Sequence, residues 1–372
     1  MRLGITLIVC LLLLGSCREA YQPPVVLAQS NLLVVDGFLD GSDGSCTVVL
    51  SRSQDVSDSK GPTMEKKAIV QLENSEGNVY TLKEISDGNY SVSNVTTNAQ
   101  IKYRLSIKTE TGKSYQSDYV EIKNTPPIHN VTWKATDQGI QFYVSTHDAE
   151  KKSIYYQYRF VETWEYVAAY PSSYEFQGGV PVPRFHDIYR CYATALSSKI
   201  SIATSAKLSE DVISNFPFYL LSRPSEKYLI RYSILVKQNV LTSEAYNYWQ
   251  QLQKNTEKIG TLFDPQPSQV LSNIQNVDNK DEPVLGYFNA GITTEKRIFL
   301  SLSELPPGWY FRDTPCRADT VLNADLGHHL TDILISGLYK GNDLNPFGYL
   351  YTSATCGDCR AAGGTLTKPD FW

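Results

Sequence analysis

Apolar and polar residues alternate with a period of two through the first third of the chain, which predicts β-strands. Tyr103, Leu105 and Ile107 alternate with polar neighbours, as on a strand that buries one face. Glycine-containing turn signals separate the apolar segments at hairpin positions. The seven predicted strands cover residues 32–38, 46–51, 68–73, 79–85, 89–95, 102–109 and 115–122. Their number and spacing predict an immunoglobulin-like β-sandwich over 31–124.

A second alternating region begins after a proline pair. Pro126 and Pro127 cannot donate hydrogen bonds to a β-ladder, and they are typical of a joint between domains. Beyond them, alternation such as that over 140–144 predicts a second β-sandwich over 128–310. The start of this region resembles a fibronectin type III module.

One segment, 243–258, has helical periodicity. Ala245 and Trp249 recur at helical spacing along it, Ser243 is a suitable cap at its start, and Gly260 follows its end. We therefore expect a single clear helix inside the second sandwich region.

An aromatic segment, 164–185, fits neither period and contains several prolines and glycines. We expect a long excursion from the second sandwich, and long ordered loops are often functional. Its aromatic side chains would contact a protein partner, stack on sugar rings, or fold back onto the sandwich near Cys191. The candidate binding residues are Trp164, Tyr166, Tyr170, Tyr174, Phe176 and Phe185.

The N-terminus carries an export signal. Residues 1–16 have a basic start and a short apolar run, which is too short to span a membrane. Gly15 and Ser16 directly before Cys17 match the bacterial lipobox, which implies cleavage before Cys17 and acylation of its thiol and amine. An ordinary signal peptide with a chance cysteine is the alternative. We expect residues 17–30 to form a tether between the lipid anchor and the folded body.

The composition agrees with an exported β-rich protein. The formal net charge is −5, which disfavours binding to nucleic acid and a polybasic contact with the membrane. The chain contains 25 tyrosines, a residue that suits half-buried strand surfaces and recognition surfaces.

Seven cysteines are present, and an exported protein meets oxidising conditions. Cys10 is removed with the signal, Cys17 is acylated, and we interpret Cys46 as a free, buried thiol on a strand face. The remaining four are expected to form two disulfides with any of three connectivities. They are Cys191, Cys316, Cys356 and Cys359.

The predicted fold class is therefore all-β, with mainly strands and one clear helix. Two tandem immunoglobulin/fibronectin-III-like β-sandwiches would be followed by a disulfide-bridged C-terminal extension over 311–372, packed on the second domain. We expect the last residue, Trp372, to be a packing anchor in this extension.

Few constellations suggest chemistry. Cys356 and Cys359 have the spacing of a zinc or redox pair, although neither a second paired ligand set nor a following helix is evident, so structural bridging is favoured. The adjacent His328 and His329 would point in different directions and are poor joint ligands. No nucleophile elbow, zinc-protease motif or phosphate loop occurs. We expect no enzyme activity, no cofactor and no metal site.

Several motifs together resemble one known family. They are Leu33-Val34-Val35-Asp36-Gly37, Leu50-Ser51-Arg52, Arg190-Cys191-Tyr192, Val284-Leu285-Gly286-Tyr287-Phe288, Cys356-Gly357-Asp358-Cys359 with Gly363-Gly364, and Pro369-Asp370-Phe371-Trp372. They resemble the domain of unknown function 4249 (DUF4249) family over nearly the whole mature chain. The resemblance implies a lipoprotein of Bacteroidota whose gene neighbours those of TonB-dependent outer-membrane transporters. The family's four-cysteine pattern falls on the same four cysteines and leaves Cys46 outside it.

The functional expectation follows from the anchor and the resemblance. We expect a non-enzymatic outer-membrane lipoprotein, on the cell surface more than on the periplasmic face, that assists a TonB-dependent transporter as an accessory or binding component. A free-standing glycan-binding or adhesion module is the alternative, and a hydrolase with an unrecognised site is the third interpretation.

The cysteine assignment predicts a labelling pattern. In the native, unreduced protein Cys356 and Cys359 should not react with iodoacetamide, and denaturation without reduction should expose only the thiol of Cys46. Peptide mass spectrometry measures this pattern. Free alkylation of Cys356 or Cys359 in the native protein would show the assignment to be wrong.

Overall fold

A computed structural model describes residues 31–54, 61–257, 272–309 and 315–372. The predicted signal peptide, Cys17, the tether, Lys258 and Gly260 lie outside the described residues. Within the described ranges, none of the helices has the length and apolar content that crossing a membrane requires.

The first part of the chain forms short strands. They are β1 (Leu33–Asp40), β2 (Ser45–Arg52), β3 (Thr63–Met64), β4 (Ile69–Asn74), β5 (Val79–Thr81), β6 (Lys83–Ser86), β7 (Asn89–Val92), β8 (Lys102–Lys108), β9 (Ser114–Ser117) and β10 (Val120–Glu121).

Longer strands and one long helix follow. They are β11 (Ile128–Thr136), β12 (Gly139–His147), β13 (Tyr155–Val167), β14 (Tyr174–Gln177), β15 (Val180–Pro183), β16 (Arg190–Leu196), β17 (Ser201–Thr204), β18 (Val212–Ser222), β19 (Arg231–Val240) and the helix α1 (Ser243–Glu257).

The last part contains β20 (Ile274–Asn276), β21 (Leu285–Gly291), β22 (Thr294–Ser301), β23 (Asp319–Leu322), β24 (Ile333–Leu338), β25 (Gly348–Thr352) and the short helix α2 (Ala354–Gly357). Short 3₁₀ helices lie at Glu226–Tyr228, Leu302–Glu304, Asn323–His328 and Cys359–Ala362.

Two six-stranded sheets enclose the first core. One has the order β21-β1-β2-β7-β6 with β3 beside β2, and the other has the order β20-β9-β8-β4-β5 with β10 beside β8. Every second residue of β1 is buried, so Leu33, Val35 and Leu39 enter the core and meet Leu105 and Ile107 of β8. The period-two pattern therefore becomes the buried face of each sheet.

Strands β20 and β21 belong to this first core. From its sequence, this segment is expected in the second sandwich. Instead, β20 pairs with β9, and β21 pairs in parallel with β1 from Val34–Leu285 to Asp40–Gly291. The chain thus leaves the first pair of sheets after β10 and returns to complete it. An apolar strand has the same local pattern in either sandwich, so only the long-range pairing reveals this return.

The parallel pair requires a glycine at position 286. Gly286 has a φ of +111°, and a Cβ at this position would overlap the carbonyl oxygen of Val35. Only glycine permits both this backbone conformation and this approach of the two strands.

The returning segment is also attached by a carboxylate. Glu282 accepts hydrogen bonds from Lys113 Nζ at 2.8 Å, from the Tyr115 hydroxyl at 2.8 Å and from Asn276 Nδ2 at 3.0 Å. Burial raises the pKa of Glu282, but the bonds from Lys113, Tyr115 and Asn276 outweigh it and hold that pKa below its ordinary value. The ionised carboxylate therefore stabilises the contact between β9 and the segment after β20.

The second pair of sheets surrounds an aromatic core. A three-stranded sheet, β11-β12-β18, faces a five-stranded sheet, β16-β13-β19-β22 with β17 beside β13. The ring of Phe142 lies 6.3 Å from that of Phe218 and 5.8 Å from that of Tyr232, between the two layers. The predicted β-rich class with several sheets is confirmed. The immunoglobulin-like and fibronectin-like topologies stay predictions.

Helix α1 lies between the two pairs of sheets. Its apolar face packs Ala245 and Trp249 against Ile202 of the second pair and Tyr287 of the first. The predicted helix is therefore present. Its cap is Thr242, one residue before the predicted one, because the Thr242 hydroxyl accepts a hydrogen bond from the backbone of Ala245 at 3.1 Å.

The aromatic segment joins the C-terminal extension in a fifth sheet. This sheet has the order β15-β14-β24-β25-β23, and Tyr174 of β14 lies opposite Leu334 of β24. The predicted excursion is thus a hairpin of β14 and β15 within a sheet, because β14 also pairs with β24, about 160 residues further along the chain.

Two disulfides stabilise the C-terminal lobe, by which we mean the fifth sheet together with residues 315–372. Cys191 pairs with Cys359 and Cys316 pairs with Cys356, which selects one of the three connectivities left open by the sequence. Cys46 is a free, buried thiol, and burial raises its pKa to about 12. Because each cysteine of the Cys356/Cys359 pair has a different partner, the pair is neither a zinc site nor an internal redox couple.

The C-terminal residue lies on the outer face of the second pair of sheets. The indole Nε1 of Trp372 donates to Glu165 Oε2 at 3.0 Å, and its ring contacts Tyr192 and Phe299 edge-on. The guanidinium of Arg231 lies 5.2 Å from the same ring. The expected packing role of Trp372 is confirmed.

Replacing Gly286 with alanine should separate β21 from β1. We expect the free energy of unfolding to fall by about 2 kcal/mol or more, because the new Cβ overlaps backbone atoms at a positive φ. Urea unfolding followed by tryptophan fluorescence measures the change. Gly327→Ala is the matched control, since a Cβ there meets no atom within 4 Å. Equal stability of the two variants would contradict the role of Gly286.

Replacing Glu282 with glutamine should lower the free energy of unfolding by about 1–3 kcal/mol at neutral pH. The pKa of Glu282 is lower in the folded state than in the unfolded state. Its stabilisation is therefore complete above the unfolded pKa and is lost as the pH falls through the folded pKa. Urea unfolding at a series of pH values should show the difference between wild type and variant closing in acid. The exposed Glu76→Gln is the control, and a pH-independent difference would refute the assignment.

Candidate functional site

A groove follows the junction between the two pairs of sheets. It consists of three adjoining cavities of about 210, 440 and 530 Å³. Side chains from three segments line most of it, 118–127, 240–254 and 272–290, and Lys102 and residues 147–153 also contribute. We call it the junction groove. Ligand sites favour such positions between domains.

The cavities of 210 and 440 Å³ are neighbours that share four lining residues. Asp118, Glu244, Asn273 and Tyr287 line both the 210 Å³ and the 440 Å³ cavity. These residues come from the end of β9, from the start of α1 and from the returning segment. The groove therefore exists only where the chain leaves the first pair of sheets and where it comes back.

Asn273 holds the floor of the groove in place. Its side-chain amide donates to the carbonyl of Phe288 at 2.9 Å and accepts from the backbone N–H of Phe288 at 2.9 Å. The carbonyl of Asn273 accepts from the backbone N–H of Asp118 at 2.7 Å. These bonds connect the loop before β20 to β21 and to the residue after β9. They therefore fix the backbone that forms the floor of the groove.

The start of α1 places a carboxylate over this floor. Glu244 lies in the first turn and accepts from the Ser243 hydroxyl at 2.8 Å. Its own backbone N–H, and then the hydroxyls of Ser243 and Thr242, lower the pKa of Glu244. Glu244 is therefore ionised at neutral pH.

Charges of both signs alternate along the groove. Glu121 Oε1 lies 3.2 Å from Lys102 Nζ and Glu121 Oε2 lies 3.3 Å from Lys123 Nζ, and the hydrogen bonds from these two lysines lower the pKa of Glu121. Lys123 also attracts the carboxylate of Glu244. The charges thus compensate one another within the groove itself.

Tyrosines form part of the wall. The rings of Tyr248 and Tyr287 lie 5.3 Å apart, and both line the 440 Å³ cavity. Burial raises the pKa of Tyr248 to about 12, so its hydroxyl stays protonated. Tyr119 lines the 210 Å³ cavity and is 41% exposed, with the Arg104 guanidinium 4.7 Å from its ring.

The third cavity follows the linker between the two pairs of sheets. The carbonyl of Pro126 accepts from Gln238 Nε2 at 2.7 Å and from the Thr294 hydroxyl at 3.1 Å, and the carbonyl of Pro127 accepts from Thr146 at 3.0 Å. Proline lacks an N–H donor but keeps its carbonyl acceptor. The second pair of sheets therefore holds the predicted joint by donating hydrogen bonds to the carbonyls of the two prolines.

One known protein family matches most of the chain. The model of one family, Domain of unknown function (DUF4249), matches residues 18–297. The chain belongs to the DUF4249 family. The matched range contains all three segments that line the junction groove, whereas the cysteine-bridged end, 298–372, lies beyond it. Among curated proteins, none matches the chain.

In this DUF4249 chain most of the predicted binding aromatics are packing residues. The hydroxyl of Tyr166 donates to the carbonyl of Cys359 at 2.8 Å, and that of Tyr170 donates to the carbonyl of Cys316 at 3.3 Å. Tyr174 and Phe176 pack against the core of the fifth sheet. These four contact the disulfide-bridged lobe and do not form a free binding surface.

The other two candidates differ. Trp164 is a residue of β13, and the ammonium of Lys227 lies 4.6 Å from its ring. Phe185 is 87% exposed. The structure therefore does not bring the six aromatics together into one site.

The remaining sequence candidates are also apart from the groove. A hydrogen bond of 2.8 Å joins His329 Nδ1 and Asp332 Oδ2. The His329 ring also packs on Tyr351, with ring centroids 4.3 Å apart. Within the described ranges, no group of three or more histidine, cysteine or acidic side chains is arranged to hold a metal ion.

Sequence reasoning missed the junction groove. Residues 118–127 lie more than 100 positions before the other two lining segments, and the one family motif among the lining residues, Val284–Phe288, gives no sign of a cavity. The available signals were Glu244 at a helix start and the proline pair at a joint, which indicate a junction but not a cavity.

Proposed function

We propose that this protein is a non-enzymatic, lipid-anchored outer-membrane lipoprotein that works as a binding component beside a TonB-dependent transporter. Its ligand would occupy the junction groove. The observation that carries the proposal is the groove itself, a set of neighbouring cavities with mixed polar and apolar lining, built by both pairs of sheets and the start of α1.

The anchor supports this role. The lipobox ending at Cys17 favours acylation, and a multiply acylated N-terminus binds membranes stably. The following segment, 17–30, spans at most about 50 Å when fully extended. The anchor would therefore keep the folded body within about 50 Å of the membrane surface, within reach of an outer-membrane transporter.

The form of the groove supports binding more than catalysis. A catalytic site places a nucleophile, base or acid so that its partners activate it. In the groove the carboxylates of Glu121 and Glu244 have lowered pKa values and are held by lysines or by a helix start, so they are poor proton acceptors at neutral pH. Fixed hydrogen-bonding groups of this kind orient a ligand.

The membrane partner is tested by co-purification. Native membranes are solubilised gently, the protein is captured by an antibody against its C-terminal lobe, and co-purifying proteins are identified by mass spectrometry. We expect a TonB-dependent transporter in stoichiometric amount. The matched control is Cys17→Ala, which should lose the membrane fraction and the transporter together if the anchor positions the protein.

Recovery of the lipoprotein alone would overturn the transporter partnership and favour a free-standing surface module. Recovery of wild-type protein in the soluble fraction, without bound lipid on the N-terminal peptide, would overturn the anchor.

A further inference from the structure

We infer that the junction groove recognises an uncharged, hydroxyl-rich ligand, a carbohydrate, between α1 and the returning segment. The inference rests on the proposed function, in that the groove holds the cargo, and it names the chemical class of that cargo. It concerns the two cavities that share Asp118, Glu244, Asn273 and Tyr287.

The charge distribution gives the groove no net formal charge that would favour an ion. Three carboxylates and three ammonium groups line the two cavities, and they are Asp118, Glu121, Glu244, Lys102, Lys123 and Lys254. Lys102 and Lys123 are paired with Glu121, and Lys123 also attracts Glu244. An anionic ligand would have to displace these internal ion pairs. A neutral ligand would not, and it suits a lining whose formal charges sum to zero.

Amide side chains supply the recognition groups. On α1, Asn247, Gln251 and Lys254 follow one another at spacings of four and three, so they lie on one face of the helix and line the 440 Å³ cavity. Asn289 faces the 210 Å³ cavity from β21. The side chains of Asn247, Gln251 and Asn289 make no hydrogen bond with other side chains or backbone in the described part of the chain.

These amides match hydroxyl groups. Each amide offers a carbonyl acceptor and two N–H donors, and each sugar hydroxyl is both a donor and an acceptor. The ionised carboxylates of the groove add acceptors, because Glu244 has a lowered pKa. A ligand with several neighbouring hydroxyls would therefore satisfy groups of both kinds from two walls.

One exposed tyrosine ring adds to the match. Tyr119 lines the 210 Å³ cavity and is 41% exposed, whereas Tyr248 and Tyr287 are buried at 4% and 7% and serve as wall, not as stacking surfaces. An aromatic ring presents an apolar face next to its polar hydroxyl, which suits the C–H face and the hydroxyl edge of a sugar ring. The 440 Å³ cavity also has the size of a ligand pocket, about 300–1,000 Å³.

The test is isothermal titration calorimetry on the detergent-solubilised full chain. The probes are neutral oligosaccharides (maltohexaose, cellohexaose, laminarihexaose, xylohexaose and mannohexaose) together with trilysine and triglutamate as charged probes. We expect binding of at least one oligosaccharide and of neither charged peptide.

The groove is then tested by the double variant Asn247→Ala with Gln251→Ala. The two substitutions shorten side chains on the surface of α1 and remove no core contact. Because alanine also favours a helix, the fold should persist. We expect the dissociation constant to rise at least about tenfold. Gln275→Ala is the matched control, an exposed amide on β20 outside the groove, and it should leave the dissociation constant unchanged.

Oligosaccharide binding that the double variant leaves intact would overturn the site. Binding of a charged peptide alone, or of no probe at millimolar concentration, would overturn the ligand class. These outcomes are independent of the co-purification result: a transporter without sugar binding refutes only the ligand class, and sugar binding without a transporter refutes only the partnership.

Discussion

Strand β21 pairs in parallel with β1 along the register from Val34–Leu285 to Asp40–Gly291, and the arrangement of the two halves of the molecule depends on this contact. Parallel strands require a crossover connection. Between β10 and β20 the chain forms all strands of the second pair of sheets except β22, together with the β14–β15 hairpin and α1, and β22 joins that pair directly after β21. The pairing completes the first sheet and simultaneously returns the chain to the junction.

The junction groove follows from the same contact. Asn273 directly precedes β20 and Asn289 lies in β21, and both line the same cavity as Asp118 because those strands lie in the first pair of sheets. Helix α1 ends the inserted region and packs Trp249 towards Tyr287. The groove is thus the space between an inserted unit and the sheets that receive it. Hydrogen bonds to Pro126 and Asn273 hold both of its edges, which reduces the conformational entropy that a ligand would have to remove.

The C-terminal lobe solves a separate physical problem. Its five strands are short and enclose a small core, which by itself buries little apolar surface. The disulfides Cys191–Cys359 and Cys316–Cys356 attach it to β16 and to its own strands, and Trp372 adds a contact on Glu165. The aromatic segment supplies two of the five strands. Tyr166, Tyr170, Tyr174 and Phe176 pack against this lobe or within it, which explains why an aromatic-rich segment without a regular period need not be a binding loop.

The sequence by itself determined the properties that depend on neighbouring residues. Alternation at Tyr103, Leu105 and Ile107 indicated a half-buried strand, the spacing of Ala245 and Trp249 indicated the helix, and the four bridging cysteines followed from counting in an oxidising compartment. Only the tertiary structure decided the partner of β21, the connectivity of the cysteines and the existence of the groove. The physical reason is that strand periodicity specifies which face is buried but not which strand lies alongside. That choice depends on contacts between segments about 250 residues apart, such as the approach of Gly286 to Val35, and no local pattern records it.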